Sequence, residues 1–400
     1  MSRQVQSAPT AARTLNVLLT QAGARAGCTI ARRLTRAGAR VYCADATPWI
    51  AARVSRSNHG FRRYPSPHVD AEGYFAVVNR CLRDWDIDVV IPGYDEALFL
   101  AAQRHRLQRP HALRLPPAAS FRQLHHKPSF YALCHALAIP APTTVTLDVP
   151  DDLAHAASLG FPLMLKPERG GGGWAVRRVD TAAELASAWY AFDGVGHDNR
   201  LFAQAYIAGD LIGHGMVCRE GQVIACDTYR IERQFPLATG TATCRTAIDD
   251  PAVADIAARI VAAVAWTGPC HFDFLVEPAT GRRLVIDCNP RFWGSLAHGV
   301  ARGIDYPALW LAIAAGGEPE VPVPASVAAE TPLRSIWFGG DLLGLITGLR
   351  DEGAVAGPVG ARLRDWASAR LDGWSWRDPL PFLVYPLVKW LNRGVPTNGF

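Results

Sequence analysis

Lysine is nearly absent from this 400-residue chain, although basic residues are not. Of its 41 lysines and arginines, only Lys127, Lys166 and Lys389 are lysines. The chain therefore uses arginine wherever either cation would serve. A lysine retained in such a chain is expected to do what arginine cannot, because its compact charge on a flexible stem can reach into a cluster of phosphate oxygens.

Other absences exclude several classes of protein. The formal net charge is only +5, and no basic run is interleaved with aromatic residues, so nucleic acid is not an expected partner. The nine cysteines include no CxxC pair, which argues against a zinc site or a disulfide framework. No apolar run reaches the roughly 18 residues of a membrane span, and the first residues lack the apolar core of a signal peptide. We therefore expect a cytoplasmic globular protein of two or three subdomains.

The N-terminal segment has the pattern of a βαβ unit. It predicts a strand, a helix and a strand at 15–20, 28–37 and 39–46. A dinucleotide-binding fingerprint starting at Gly23 would need glycine where Arg25 and Cys28 stand, so that pattern fails. Asp45 nevertheless lies near the place of a ribose-binding acid.

A further strand, turn and helix are predicted at 87–101. Asp95 and Glu96 lie at the carboxyl end of this strand, which is where open α/β sheets bind their ligands. Carboxylates are also favoured at the N-terminus of a helix by the helix dipole. Both interpretations of the two acids stay open.

Two apolar strands that carry acidic residues are predicted at 270–276 and 284–288. The segment between them, EPATGR, is turn-like, and a hairpin centred near Thr280 places Asp273 directly across from Asp287. Their β-carbons would then lie about 5 Å apart. Alternation along the second strand predicts two faces: Val285, Asp287 and Asn289 on one, and Leu284, Ile286 and Cys288 on the other.

The facing carboxylates would repel each other and destabilise the sheet unless a partner offset their charge. A divalent cation is the economical explanation, since Mg²⁺ takes carboxylate and amide oxygens and Asn289 supplies a third oxygen. Arg291, just beyond the strand, adds a planar cation suited to a phosphate or a carboxylate. His271 is expected to line the polar face and not to act as a base. The alternative is a solvated polar face with an ordinary surface arginine.

A glycine-rich stretch follows Lys166, which ends the apolar run FPLMLK. The four glycines at 170–173 would let backbone N–H groups approach anionic oxygens and would let the loop close like a lid. A flexible linker is the alternative. The segment 202–210, FAQAYIAGD, reads as a strand that carries Gln204 and leaves through a glycine.

Together these pieces resemble the ATP-grasp superfamily. The matching motifs are HHKPSF around Lys127, FPLMLKPERGGGG around Lys166, FAQAYIAGD, and CHFDF with LVIDCNPR around the acid pair. The resemblance covers about 115–315 and looks most like the carbamoyl-phosphate-synthase-like branch. It implies an α/β chain, α+β in the nucleotide-binding part, with an N-terminal Rossmann-like pre-ATP-grasp domain. The expected segments are the pre-ATP-grasp domain at 14–115, a lid subdomain at 116–200, a subdomain with the metal site at 201–320, and a C-terminal extension at 321–400.

The resemblance also implies a nucleotide site, made by Lys127, Lys166, Gly171, Gly172, Gln204, Tyr206, Ile207 and Asp210. The lysines and glycines would hold the phosphates of ATP. Gln204 would lie near the adenine amino group, and the backbone of Tyr206 and Ile207 would contact the purine edge. Asp210 would bind the ribose hydroxyls.

The metal and catalytic residues are implied in the same way. Asp273, Asp287 and Asn289 would be the ligands of Mg²⁺ or Mn²⁺. Arg291 would contact the transferred phosphoryl group, with Lys166 beside it as a second catalytic cation.

The reaction implied by the resemblance is ATP-dependent, ADP-forming ligation of a small carboxylate, such as an amino acid, to an amine through an acyl phosphate. Bicarbonate activation through carboxyphosphate is one alternative. A non-catalytic ATP-binding regulatory module is another, because these families commonly carry glutamate at the positions of this chain's shorter acids. Arg230, Arg233 and Arg245 are candidates for positioning the acceptor, or are surface arginines.

The C-terminal segment 378–394 is apolar but is interrupted by Pro381 and Pro386, so it is not expected to span a membrane. Its Trp, Tyr and Lys would suit a membrane interface. The alternative is an apolar tail that packs on the body of the protein or on a second subunit, as in a homodimer.

Overall fold

The structure is a computed structural model that describes residues 13–168, 176–192, 200–236, 240–319, 332–350 and 359–392. Within these residues the strands form three β-sheets, with helices packed around them. The mixture of helices and sheets confirms the predicted α/β class.

The first sheet is parallel and belongs to the N-terminal part of the chain. Its strands, in the order β3-β2-β1-β4, are β1 (Asn16–Thr20), β2 (Arg40–Asp45), β3 (Asn58–Arg63) and β4 (Val89–Pro92). Its helices are α1 (Gly27–Arg36), α2 (Ala71–Asp84) and α3 (Glu96–Ala102), and a 3₁₀ turn covers Ala51–Val54. The predicted βαβ opening is confirmed. The strands β1 and β4 are largely apolar because both of their faces are buried, whereas β3 at one edge of the sheet is more polar and more exposed.

Two helices, α4 (Ala118–His125) and α5 (Lys127–Ala136), lead to the second sheet. This sheet is antiparallel, in the order β5-β8-β6-β7. Its strands are β5 (Thr144–Leu147), β6 (Leu163–Pro167), β7 (Arg177–Val179) and β8 (Leu201–Ala205), with helices α6 (Asp152–Ala157) and α7 (Ala182–Ala191). The strand β8 hydrogen-bonds to β5 and β6, so Leu201–Ala205 belongs to this sheet.

The third sheet is the largest, in the order β13-β12-β9-β10-β11-β14-β15. Its strands are β9 (Asp210–Arg219), β10 (Gln222–Phe235), β11 (Thr241–Ile248), β12 (Gly268–Val276), β13 (Arg283–Asn289), β14 (Arg334–Ile336) and β15 (Arg370–Leu371). The helices α8 (Pro251–Ala263), α9 (Leu296–Ala301) and α10 (Tyr306–Ala314) accompany it. The predicted strand pair at 270–276 and 284–288 corresponds to β12 and β13.

The C-terminal segment adds two strands to this sheet, since β14 pairs with β11 and β15 pairs with β14. Its helices are α11 (Phe338–Arg350), α12 (Val359–Ser368) and α13 (Leu380–Leu391). The sequence did not reveal these helices, because glycines in α11 and the internal Pro386 of α13 obscure the helical period.

The helix α13 is packed on the body of the protein along one side only. It lies against the 3₁₀ turn Ala51–Val54, and the Asn392 amide donates to the backbone oxygen of Trp49 at 2.6 Å. Leu383 and Leu387 on its other side are exposed. Packing on the body is therefore found, whereas a contact of this segment with a second subunit or a membrane surface stays a prediction.

Buried ion pairs anchor the C-terminal segment to the first sheet. Asp378 is 6% exposed and accepts hydrogen bonds from Arg32 Nε at 2.8 Å and from Ser55 Oγ at 2.6 Å. Asp372 is shared by two guanidinium groups, those of Arg25 at 3.2 Å and Arg245 at 2.7 Å. The first and last parts of the chain are thus joined around one region.

We expect Asp378→Ala to lower the free energy of unfolding by about 3–5 kcal/mol, because it leaves the half-buried Arg32 charge without its partner. Equilibrium urea unfolding measures this loss. Asp84→Ala is the matched control, since the Arg62–Asp84 pair is much more exposed and should contribute less than about 1 kcal/mol. Equal losses in the two variants would contradict the anchoring role.

Candidate active site

All three sheets contribute residues to one cavity of about 710 Å³. The first sheet supplies Asp45, the second Lys166 and Gln204, and the third Asp273 and Asp287. The side of α13 that faces the body forms a further part of the wall. The three lysines of the chain, Lys127, Lys166 and Lys389, all line this cavity.

The predicted acid pair is confirmed, since Asp273 on β12 is the register partner of Asp287 on β13. The pairing is less simple than the sequence indicates. Between these acids and the turn, a β-bulge leaves Ile286 without a partner and shifts the register by one residue. Without the bulge, Asp273 would face Ile286, so the bulge is what brings the two carboxylates opposite each other.

The bulge also corrects the predicted faces of β13. Val285 is fully buried in the core with Cys288, not on the face of Asp287 as strict alternation predicts. Ile286 lies instead on the cavity side with Asp287 and Asn289. The extra residue reverses the alternation nearer the turn, which explains why the prediction holds for the acids and is wrong for 285 and 286.

Within the described residues, neither acid forms an ion pair with a lysine or an arginine, although the nearby charges of Arg291 and Lys166 partly offset the rise in the pKa of Asp273. Burial and the neighbouring Asp287 raise the pKa of Asp273 to about 7. The His271 ring lies 3.9 Å from the Asp273 carboxylate, but burial holds the pKa of His271 well below its usual range. The ring is therefore neutral at pH 7 and adds no positive charge beside the pair; it lines the cavity, as expected.

The oxygen donors fit a hard divalent cation. Asp273, Asp287 and Asn289 offer carboxylate and amide oxygens and no sulfur or imidazole, which is the donor set that Mg²⁺ or Mn²⁺ prefers. Within the described residues, no cluster of three or more His, Cys, Asp or Glu side chains could hold a metal. A metal site here would consequently depend on two carboxylates and one amide.

Arg291 lies beside this pair and is held by three neighbours. It is 5% exposed, forms an ion pair with Asp95 and donates to Asn289 Oδ1 at 2.9 Å. Its guanidinium also lies 3.6 Å above the centroid of the Tyr94 ring. The first sheet thus positions a cation at the end of β13.

These contacts decide between the two interpretations of Asp95 and Glu96. Asp95 makes no capping hydrogen bond to α3 and pairs with Arg291, so it belongs to the site. Glu96 is fully buried and accepts hydrogen bonds from the hydroxyls of Tyr64 and Tyr74. Burial raises the pKa of Glu96 to about 7, and the residue is part of the interior of the first sheet.

Lys166 and Lys127 approach the cavity from the second sheet and from α5. The Lys166 ammonium donates to Gln204 Oε1 at 2.7 Å, and burial lowers the pKa of Lys166 to about 8. Gln204 is held in turn by donating to Thr144 Oγ1 at 3.1 Å. The Lys127 ammonium lies 3.5 Å from the backbone oxygen of Glu168. Two cations therefore share one side of the cavity.

The remaining predicted nucleotide residues are only partly brought together. Tyr206 and Ile207 line the cavity, and the Arg178 guanidinium lies 4.7 Å from the Tyr206 ring centroid. Asp210 begins β9 beside the lining residues, but is not itself among the described ones that line the cavity. Gly171 and Gly172 lie outside the described residues.

The candidate acceptor arginines lie elsewhere. Arg233 is engaged with Asp341 and Asp365, Arg245 is fully buried against Asp372, and Arg230 pairs with Glu232. None of the three is among the described residues that line the cavity.

The sequence analysis missed several residues of the cavity wall. Arg25 lines it from the first sheet, and Tyr229 from β10. The Tyr229 hydroxyl lies 2.6 Å from His271 Nε2 and 2.5 Å from Ser295 Oγ, forming a polar cluster beside the acid pair. These residues are distant in sequence and follow no motif. The rarity of lysine is the one feature of the sequence that could have pointed to Lys389 as a residue of the cavity.

Solved structures of known proteins share the fold of this chain. An L-amino acid ligase from Bacillus licheniformis matches with a TM-score of 0.65 at 18% identity, covering 80% of this chain and 79% of that one. Biotin carboxylase from Campylobacter jejuni matches with a TM-score of 0.62 at 16% identity, covering 80% and 74%. N5-carboxyaminoimidazole synthetase from Staphylococcus aureus, complexed with ADP, matches with a TM-score of 0.62 at 12% identity, covering 76% and 78%. The chain has the ATP-grasp fold.

Relatives found by sequence agree with the ATP-grasp fold. A D-alanine–D-alanine ligase of Methylococcus capsulatus is 30% identical over 162 residues, which cover 38% of this chain and 51% of that protein. One from Kineococcus radiotolerans is 27% identical over 188 residues, covering 39% and 48%. The chain thus spans about half the length of the curated relatives it matches. No protein-family model matches it.

The expected architecture, an ATP-grasp fold with a Rossmann-like sheet ahead of it, is confirmed. In the part of the chain that the structure describes, every helix is too short or too polar to cross a lipid bilayer.

We expect Asp273→Asn to raise the thermal unfolding midpoint of the metal-free protein by roughly 2 °C, because the amide removes like-charge repulsion. The gain should be larger at pH 8 than at pH 6, since the destabilisation by a carboxyl with a raised folded-state pKa grows from its ordinary pKa of 3.8 upward and is complete only above about 7. Stabilisation by added Mg²⁺ should be lost. Scanning fluorimetry measures each effect.

Asp255→Asn, on the exposed side of α8, is the matched control and should change neither quantity. A lower midpoint for Asp273→Asn at pH 8 would show that the two carboxylates do not repel each other.

Proposed function

We propose that this chain is an ATP-dependent, ADP-forming ligase that joins a small carboxylate to an amine. One observation carries the proposal: two lysines, a facing acid pair with an amide, and a fixed arginine share one cavity of an ATP-grasp fold. The similarity of this chain to D-alanine–D-alanine ligases and to an L-amino acid ligase supports a reaction that forms a carbon–nitrogen bond.

ATP would lie between the second and third sheets. Lys127, Lys166 and the backbone of Gly171 and Gly172 would hold its phosphates, because cations and open N–H groups suit anionic oxygens. Gln204, Tyr206 and Ile207 would surround the adenine, and Asp210 would bind the ribose. The present hydrogen bond between Gln204 and Lys166 would then have to be shared with the nucleotide.

Asp273, Asp287 and Asn289 would hold Mg²⁺ or Mn²⁺. A cation bound there neutralises charge on the β- and γ-phosphates of ATP. The chain's own cations would stabilise the rest of that charge. Arg291 is suited to this role because Asp95 and Tyr94 fix its guanidinium before any substrate binds, so little reorganisation is needed.

The reaction has two steps. A carboxylate oxygen attacks the γ-phosphorus, and the bond from that phosphorus to the bridging oxygen breaks. ADP departs, and the substrate is now an acyl phosphate. The amine nitrogen then attacks the carbonyl carbon and loses a proton, and phosphate departs. Activation is needed because direct condensation of a carboxylate with an amine is unfavourable in water.

The nine cysteines are all free thiols, which supports a cytoplasmic location.

The direct test is Mg²⁺-dependent ADP release with a panel of small acids and amines, followed by mass spectrometry of the products. We expect a condensed acid–amine product and a loss of at least about 100-fold in rate for Asp287→Ala, because removing one ligand weakens both metal and nucleotide binding. Asp255→Ala is the surface control.

Labelled bicarbonate forms the second arm of this test. Incorporation of label without any acid–amine product would favour the carboxyphosphate alternative. The similarity of the fold to biotin carboxylase is the reason for testing it. ATP binding without ADP release in either arm would favour a non-catalytic nucleotide-binding module.

Nucleotide affinity should fall as the pH rises above about 8, because Lys166 then loses its proton in the free protein. Binding at pH 8 should therefore take up a fraction of a proton, since the phosphates favour the charged ammonium. Calorimetry of MgADP binding in two buffers of different ionisation enthalpy measures the uptake. Lys166→Arg should bind without this pH dependence, and an unchanged dependence in that variant would assign it to another group.

A further inference from the structure

The helix α13 and the first sheet enclose one part of the cavity, called here the α13 end: Arg25, Trp49, Ile50, Tyr385, Val388 and Lys389. Asn392, at the end of the helix, is joined to Trp49 by a hydrogen bond of 2.6 Å. Neither the proposed nucleotide site nor the proposed metal site uses any residue of the α13 end.

Lys389 is the only charged residue of α13, whose sequence is LPFLVYPLVKWL. Its ammonium lies 5.5 Å from the centroid of the Tyr385 ring, and no acidic residue occurs between 379 and 400. Within the described residues, no carboxylate is paired with this ammonium. Lys389 is exposed and also lines the cavity, so it places a positive charge on an otherwise apolar helix where an anion that enters the cavity can reach it.

The neighbouring charges do not cancel that of Lys389. Arg25 and Arg245 share the single carboxylate of Asp372. Asp45 also lines the cavity, but its carboxylate accepts hydrogen bonds from the backbone N–H of Gly23 at 2.7 Å and from Thr47. Of the described residues that line this part of the cavity, Lys389 and Arg25 are cations and Asp45 is a carboxylate, which leaves the charge positive and attractive to an anion.

We propose that Lys389 binds an anionic group of a substrate, remote from the carboxylate that is activated beside Arg291. The inference rests on the proposed ligase function and assigns a feature of its substrate. Trp49, Ile50 and Val388 give this end apolar walls, so the substrate would carry an apolar body between its reacting group and the anion. The anionic group can belong to the acid or to the amine.

The test compares substrates that differ by one charge. In the first arm, linear diacids of increasing length and their monomethyl esters are activated with hydroxylamine as the amine, so that only the acid can carry the anion. In the second arm, amino acids and their methyl esters compete as amines for one fixed acid. The proteins are the wild type, Lys389→Met, Lys389→Arg, and Leu391→Met as a control on the exposed side of α13.

In one of the two arms, the wild-type KM for the charged member of a pair should be at least about tenfold lower than the KM for its ester, which is the usual effect of a charged hydrogen bond. Lys389→Met should abolish the preference without changing KM for ATP, and Lys389→Arg should restore most of it. The arm that responds identifies which substrate carries the anion. A preference that survives in Lys389→Met, or that is absent from the wild type in both arms, overturns the proposal.

Absence of any ADP release from the wild type would reject the ligase function and not the anion site. Calorimetric binding of the same diacid and monoester pairs to the MgADP-loaded protein then tests Lys389 directly. The site is rejected if the wild type binds both members equally or if Lys389→Met keeps the preference.

Discussion

Two carboxylates placed face to face on neighbouring strands are the constraint around which this molecule is organised. Asp273 and Asp287 would weaken the sheet by themselves, and the neutral His271 beside Asp273 cannot offset their repulsion. A protein keeps such a pair where a cation binds. The bulge at Ile286 also favours a cation site, because it interrupts the regular strand pairing and brings both acids to the cavity.

The N-terminal sheet is part of the site and not merely attached to it. Asp95, just after β4, holds Arg291 just after β13, so the two sheets together fix a cation whose charge acts on the acid pair. The C-terminal segment closes the same region, since Asp378 ties it to Arg32 and α13 lines the cavity. The site therefore depends on parts of the chain more than 280 residues apart, as the Asp95–Asp378 separation shows.

Local patterns made the central residues predictable. The acid pair follows from strand alternation and a recognisable turn, and Lys127 and Lys166 stand out because lysine is so rare. The bulge could not be foreseen, because Ile286 fits a regular strand as well as a bulged one. Asp95 was left ambiguous because its partner, Arg291, lies far along the chain. Such pairings are determined by the packing of sheets, which no short segment encodes.

The central claim is that the acid pair binds a metal together with a nucleotide. A crystal structure of the protein with ADP and Mn²⁺, with the metal located by its anomalous scattering, tests it most directly. The account predicts a manganese peak in contact with oxygens of both Asp273 and Asp287, and ADP phosphates between that peak and Lys166. Manganese bound away from this pair, or ADP bound with neither lysine near its phosphates, would contradict it.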